Sequence, residues 1–166
     1  MKFSFTQSSS KSKVEQQQKQ EEKMKTIIFV CVENAGRSQM AQGFFNHKYA
    51  TKGYRAVSAG TRPASQINPV AIQVMKEVGI DISSQKSKII TEDMIKSSEK
   101  LVNMGCMDNG SECPMLFINN VIDWKIEDPK GKPMEKVRQI RDEIETKVKE
   151  IAEILKRQNN NSGGGC

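Results

Sequence analysis

The stretch that decides the fold is Phe29-Val-Cys-Val-Glu-Asn-Ala-Gly-Arg-Ser38. It ends an apolar run, Thr26–Val32, which predicts a buried strand. A helical pattern then begins at Ser38, so the segment predicts a strand, a tight loop and a helix. Asn34 and Gly36 are residue types that favour such a turn.

The residues of this loop also carry a chemical signal, because Cys31 and Arg37 bracket five residues at the start of the predicted helix. A helix N-terminus points backbone N–H groups and partial positive charge into one concavity, which suits a tetrahedral oxyanion. Arg37 can bind two of its oxygens, and the same field favours the thiolate of Cys31 as a nucleophile. Ser38 can either donate to that thiolate or cap the helix. The predicted oxyanion-binding residues are Val32, Glu33, Asn34, Ala35, Gly36, Arg37 and Ser38.

A structural role for Cys31 is the alternative, since a cysteine in a strand is usually a small buried hydrophobic residue. The strand before the loop and the serine after it favour the oxyanion site.

Length and composition bound the remaining possibilities. The 166 residues suggest one domain with tails, and no apolar run is long enough to cross a bilayer. The N-terminal residues are too polar for a signal peptide, so we expect a cytoplasmic protein whose cysteines are catalytic, redox-active or metal-binding. The net charge of +6 suits an anionic substrate, whereas the 5% aromatic content does not favour nucleic-acid binding.

The order of predicted elements indicates an α/β fold. We expect a disordered polar extension over residues 1–24, a catalytic domain over 25–157 and a flexible tail over 158–166. Strands alternate with helices, which predicts a three-layer α/β/α domain with a four-stranded parallel sheet. The predicted elements are strands Lys25–Val32, Tyr54–Gly60, Lys100–Met104 and Val121–Ile126, and helices Ser38–Lys52 (with Gly53 as its C-cap), Asn68–Gly79, Thr91–Ser98 and Met134–Arg157.

Three features follow strands of this sheet: the Cys31–Ser38 loop, a loop holding Cys106 and Cys113, and Asp128. Parallel α/β sheets bind ligands beyond the carboxyl ends of their strands, so these features are expected to converge.

Several motifs resemble a known family. The Cys31–Ser38 loop, the Asp128-Pro129 pair and the element order resemble the low-molecular-weight protein tyrosine phosphatases. Met40-Ala41, Ser58-Ala59-Gly60 and the Cys106…Cys113-Pro114 loop look more like the thioredoxin-coupled arsenate reductases built on that fold. The resemblance covers about Lys25 to Leu155.

The resemblance implies arsenate reduction by a relay of three thiols. Cys31 would attack arsenic in the loop, with Arg37 binding the oxyanion and Asp128 protonating the leaving oxygen; we expect partial burial of that carboxyl. Cys106 and then Cys113 would form a disulfide that thioredoxin reduces. No cofactor or metal is implied, and we expect a monomer that binds arsenate or a phosphate-like oxyanion, with thioredoxin as external reductant and no membrane or nucleic-acid partner.

Other readings of these residues stay open. Cys106 and Cys113 could be inert thiols or half a metal site, although six residues lie between them where zinc sites usually place two to four. Asp128 could be a turn residue before proline. The alternative function is a phosphatase that hydrolyses phosphate monoesters through a phosphocysteine at Cys31. Lys130-Gly131-Lys132 argues against it, because such phosphatases usually carry aromatic residues there.

A monovalent cation is the last feature that the resemblance raises. Some relatives bind one near the loop, partly through an acidic residue in the stretch matching Gln85–Ile89. This chain carries Lys86 and Lys88 there, so an ammonium could replace the ion or the site could be missing.

Overall fold

The computed structural model describes residues 24–105 and 121–162. The predicted N-terminal extension (apart from Met24), both cysteines of the Cys106–Cys113 loop and the last four residues lie outside them. The described part contains strands β1 (Lys25–Cys31), β2 (Tyr54–Gly60), β3 (Ser98–Asn103) and β4 (Val121–Asp123), and helices α1 (Arg37–His47), α2 (Pro69–Glu77), α3 (Glu92–Ser97) and α4 (Met134–Ser162).

The four described strands form one all-parallel sheet in the order β2-β1-β3-β4, which confirms the predicted α/β class. Because the chain moves from β1 to β2 and then crosses back to β3, the switch point of the sheet lies at the carboxyl end of β1. That end is where Cys31 and the loop after it are found.

β1 is buried on both faces, as its uninterrupted apolar run predicts. Ile27, Phe29 and Cys31 belong to the larger core cluster, which the apolar faces of α1, α2 and α4 complete. Ile28 and Val30 belong to a smaller cluster on the opposite face, beneath α3. Helices therefore cover both faces of the sheet.

Two helices begin directly after a side-chain cap, at the positions where the sequence predicts a helix to start. Asn68 Oδ1 accepts a hydrogen bond of 2.9 Å from the Val70 backbone N–H and caps α2, which has proline at its first position. Thr91 Oγ1 accepts 3.2 Å from the Met94 backbone N–H and caps α3.

The first helix is shorter than predicted. It ends at His47, because the backbone N–H groups of Lys48 and Tyr49 both bond to the Phe44 carbonyl and close the last turn. Gly53 is therefore not the helix cap. It lies in the turn before β2 with φ +86°, and its carbonyl accepts a hydrogen bond from the Lys25 backbone N–H.

The last two elements also differ from the prediction at their ends. β4 stops at Asp123, because its partner β3 stops at Asn103 and the chain turns away at Gly105, whose φ is +124°. α4 continues to Ser162, into the predicted tail, where Asn159 Nδ2 donates 2.9 Å to the Lys52 carbonyl and holds that turn against the domain.

In the part of the chain that the structure describes, no helix combines the length and the apolarity needed to cross a bilayer. The longest one, α4, presents an apolar stripe to the core and charged residues elsewhere.

Candidate active site

The Cys31 sulfur lies at the end of β1, where two hydrogen-bond donors meet it. Cys31 is 2% exposed, and its Sγ accepts 3.2 Å from the Asn34 backbone N–H. Ser38 Oγ lies 2.9 Å from the same sulfur. Because Ser38 Oγ already accepts 2.7 Å from Asn34 Nδ2, its own proton can point at the sulfur. Both groups can donate a hydrogen bond to the sulfur, and Ser38 contacts the sulfur rather than capping α1, which has no side-chain cap.

Asn34 holds the loop in its bent conformation. Its φ is +50°, a left-handed torsion that asparagine tolerates better than most residues. Its side-chain Oδ1 accepts hydrogen bonds from Gln39 Nε2 and from the Lys88 backbone N–H. These two hydrogen bonds, one from α1 and one from the Gln85–Lys88 stretch, therefore hold the conformation that points the Asn34 backbone N–H at Cys31.

Gln39 helps to hold Asn34 in place, and the sequence does not reveal this role. It is fully buried, and Gln85 Nε2 donates 2.8 Å to its side-chain oxygen. A glutamine in a first helical turn usually faces solvent, so its sequence position gives no sign of this role.

Arg37 is the buried cation of the site. It is 6% exposed, and its Nη1 donates 3.0 Å to the Ile126 carbonyl. Its Nη2 lies 3.7 Å from Asp128 Oδ2, so the loop and the acid lie close together. The expected burial of Asp128 is not found: 56% of that side chain is exposed, because the residue lies at a turn where its Oδ1 accepts 3.0 Å from the Lys130 backbone N–H.

Two glycines allow the walls of the site to approach each other. A Cβ at Gly105 would lie 2.9 Å from Arg37 Cζ and closer still to Nη1, so any larger residue there would force the guanidinium to move. A Cβ at Gly36 would lie 3.1 Å from Pro129 Cγ. Gly105 is the residue before Cys106, and its contact with Arg37 is a packing role that sequence reasoning missed.

These residues surround a cavity of about 380 Å³. It lies at the carboxyl edge of the sheet, where the order of the strands predicts a ligand site. Its lining includes Cys31, Glu33, Ala35, Gly36, Arg37 and Asp128 from the predicted set, with Ala64, Gln66, Ile67, Asn68, Pro69, Pro129, Lys130 and Gly131.

The remaining predicted residues lie elsewhere. Asn34 and Ser38 contact the Cys31 sulfur. The Val32 carbonyl accepts a hydrogen bond from the Arg62 backbone N–H. Cys106 and Cys113 lie outside the described residues.

One ion pair crosses the rim of this cavity. Lys130 Nζ donates 2.8 Å to Glu33 Oε1, and the Glu33 carboxylate raises the pKa of Lys130 above its usual value. Glu127 makes a separate group on the same segment, with Lys132 and Lys136 at 3.1 and 3.0 Å. Those three residues do not line the cavity.

The described residues around the loop do not fit the monovalent cation that the resemblance raises. Lys88 is half-buried there and its Nζ donates 3.1 Å to the Lys86 carbonyl, which also accepts from Gln39 Nε2. Burial lowers the pKa of Lys88. The Lys86 carbonyl is thus bonded to two donors of the chain itself, and residues 24–105 and 121–162 hold no cluster of three metal-ligating side chains.

Curated proteins resemble this chain over most of its length. An arsenate reductase of Brevibacillus brevis is 39% identical over 133 residues, which is 80% of this chain and 97% of that protein. An arsenate reductase of Staphylococcus aureus is 41% identical over 125 residues, covering 75% of this chain and 93% of the other.

Among solved structures, the thioredoxin-dependent arsenate reductase of Corynebacterium glutamicum superposes with a TM-score of 0.67 at 33% identity. The match covers 81% of this chain and 63% of that one. Residues 26–161 match the low molecular weight phosphotyrosine protein phosphatase family, a span that includes the described sheet except Lys25, and the Cys31 loop. The chain therefore belongs to the low molecular weight phosphotyrosine protein phosphatase family.

Proposed function

We propose that this protein is an arsenate reductase that uses three of its cysteines in turn and is regenerated by thioredoxin. The observation that carries the proposal is the convergence of Cys31, Arg37 and Asp128 on one cavity at the switch point of the sheet. Relatives about 40% identical over most of the chain are arsenate reductases, which favours arsenate over other tetrahedral oxyanions as the substrate.

The first step uses residues that line the cavity. The Cys31 thiolate attacks arsenic(V), and Arg37 balances the negative charge of the arsenate oxygens. Asp128 gives its proton to the departing oxygen, so that water leaves and a Cys31 S–As bond forms. Asp128 is suited to exchange protons with solvent because its carboxyl is exposed, while one oxygen remains near Arg37.

The second step transfers two electrons to arsenic. The Cys106 thiolate attacks Cys31 Sγ, an S–S bond forms, and the electron pair of the S–As bond stays on arsenic, which leaves as arsenite. Cys113 then attacks Cys106 Sγ and releases the Cys31 thiolate. A dithiol of thioredoxin reduces the Cys106–Cys113 disulfide. The thioredoxin-dependent relative from Corynebacterium glutamicum supports this choice of reductant.

The decisive experiment is a single turnover without reductant. Reduced protein is mixed anaerobically with arsenate, quenched with an alkylating reagent and analysed by intact mass and digestion. We expect one arsenite per protein and the loss of two alkylatable thiols, mapped to Cys106 and Cys113. Cys113→Ser should stop at a Cys31–Cys106 disulfide. The fourth cysteine of the sequence, Cys166, has no place in the relay, so Cys166→Ser is the matched control and should behave as the parent protein.

The second candidate function is hydrolysis of phosphate monoesters, which the family match favours. It would use Cys31, Arg37 and Asp128 with water resolving a phosphocysteine. All thiols still free after arsenate treatment, with no arsenite and rapid turnover of p-nitrophenyl phosphate, would establish the phosphatase and exclude the reductase.

A further inference from the structure

The rim of the cavity holds a cation that the proposed mechanism does not use. Lys130 and Glu33 both line the cavity that contains Cys31 and Arg37. They are 97 residues apart in the chain, and their 2.8 Å ion pair joins the loop after β1 to the segment that carries Asp128.

This ion pair can exchange partners at low cost. The Lys130 side chain is 67% exposed and that of Glu33 is 39% exposed. Exposed pairs of this kind are weak, because solvent screens the charges and two long side chains must be ordered. Lys130 also stays cationic through neutral pH, because the ordinary pKa of lysine is about 10.5 and Glu33 raises the pKa of Lys130 further. A lysine on a flexible stem can therefore leave one carboxylate for a stronger anion nearby.

The backbone at both partners is fixed, which keeps them at the cavity. The Glu33 carbonyl accepts hydrogen bonds from Ser87 Oγ and from the Ala64 backbone N–H. The Lys130 backbone N–H donates to Asp128 Oδ1, and the neighbouring Pro129 is buried. Only the two side-chain ends are free to change partner.

We propose that Lys130 is a second cationic ligand for the substrate oxyanion. Glu33 holds the Lys130 ammonium at the rim until a dianion enters and replaces Glu33 as its partner. In the empty site Lys130 neutralises Glu33. When the oxyanion binds beside Arg37, the ammonium turns toward it and Glu33 is left to solvent. This inference rests on the proposed oxyanion site and adds an affinity-determining residue to it.

The two partners of the pair must then have opposite effects on anion affinity. Removing Lys130 takes away an attraction for the anion. Removing the charge of Glu33 takes away both a competitor for Lys130 and a repulsion of the anion. A purely structural ion pair would behave differently, because losing either partner would disturb the loop and weaken binding in both cases.

The test measures the affinity of the full-length reduced protein for inorganic phosphate by calorimetry at low ionic strength. Phosphate serves because it binds such a site without being reduced. We expect Lys130→Ala to weaken binding about three- to tenfold and Glu33→Gln to tighten it about two- to fivefold. Lys130→Arg should keep most of the affinity, because it keeps the charge.

Lys132→Ala and Glu127→Gln are the matched controls. They change the net charge by the same amounts at an ion pair on the same segment that does not line the cavity. Both should stay within about 1.5-fold of the parent affinity. Changes of the same sign in Lys130→Ala and Glu33→Gln, or changes no larger than those of the controls, would overturn the inference.

The outcome also separates this inference from the proposed function. Arg37→Ala should abolish phosphate binding whatever Lys130 does. If the parent protein and Arg37→Ala bind phosphate equally poorly, the oxyanion site itself is wrong and the inference falls with it. If Arg37→Ala abolishes binding but Lys130→Ala has no effect, only the role of Lys130 is wrong.

Discussion

Replacing Gly105 by alanine tests whether the Arg37 guanidinium needs the space that the missing Cβ leaves. The substitution adds a single Cβ. That atom would lie 2.9 Å from Arg37 Cζ and 3.2 Å from Nη2, with Nη1 nearer still. Ordinary van der Waals contact begins at about 3.4 Å, so the guanidinium must move or the backbone must shift.

The size of the effect follows from what holds Arg37. Its hydrogen bond to the Ile126 carbonyl is 3.0 Å, and a retreat of about 1 Å breaks it and changes the direction of the cation. A displacement of about 1 Å in a catalytic group can cost about 10²-fold in rate. We therefore expect about a 10²-fold fall in kcat/KM for arsenate and a marked loss of phosphate affinity.

Backbone strain must be separated from this clash, and Gly79→Ala provides the control. Gly79 has φ +83° and a Cβ there would meet nothing within 4 Å. Each substitution should lower the free energy of unfolding by about 1–3 kcal/mol through the positive φ alone. Urea unfolding, phosphate calorimetry and arsenite formation are measured on both variants. If Gly105→Ala keeps the kcat/KM and the phosphate affinity of Gly79→Ala, the close packing of Gly105 against Arg37 does not matter and the reasoning fails.

Three further predictions concern the thiol, the acid and the acid stability of the fold. Ser38→Ala should slow alkylation of Cys31 by iodoacetamide about tenfold near neutral pH, because the sulfur loses one of its two donors; an unchanged rate, read by mass spectrometry of the Cys31 peptide, would contradict that role. Asp128→Asn should lower kcat for arsenite formation about 10²- to 10⁴-fold while leaving phosphate affinity within a few-fold, and equal losses in both would make Asp128 a structural residue. Arg138 and Arg141 lower the pKa of Glu77 in the folded state. The stabilisation from this ion pairing is therefore fully present above the ordinary Glu pKa of about 4.5, and it is lost as the pH falls through the lower pKa of the folded state. Glu77→Gln should therefore be less stable than the parent protein at pH 7 in urea unfolding, with a smaller further loss between about pH 5 and pH 3; an identical slope with pH in both proteins would refute the link.

The local sequence was sufficient to predict the segment around Cys31. An apolar run, a turn-forming asparagine and glycine, and an apolar helical stripe each depend on neighbours within a few residues, so their pattern is visible in the chain itself. The caps at Asn68 and Thr91 were predictable for the same reason. Element ends were less predictable: α1 ends where two backbone N–H groups close on the Phe44 carbonyl, and β4 ends where its partner β3 stops.

The sequence by itself determined the chemistry and the class of fold: a cysteine, an arginine and a serine on a loop between strand and helix, in an alternating α/β chain. Only the tertiary structure decided which distant residues meet them. Arg37 contacts the Ile126 carbonyl 89 residues away, and Glu33 pairs with Lys130 97 residues away. Those contacts depend on the sheet order β2-β1-β3-β4, which brings the ends of β1, β3 and β4 to one edge. Local patterns cannot encode them, because they contain no information on which strands become neighbours.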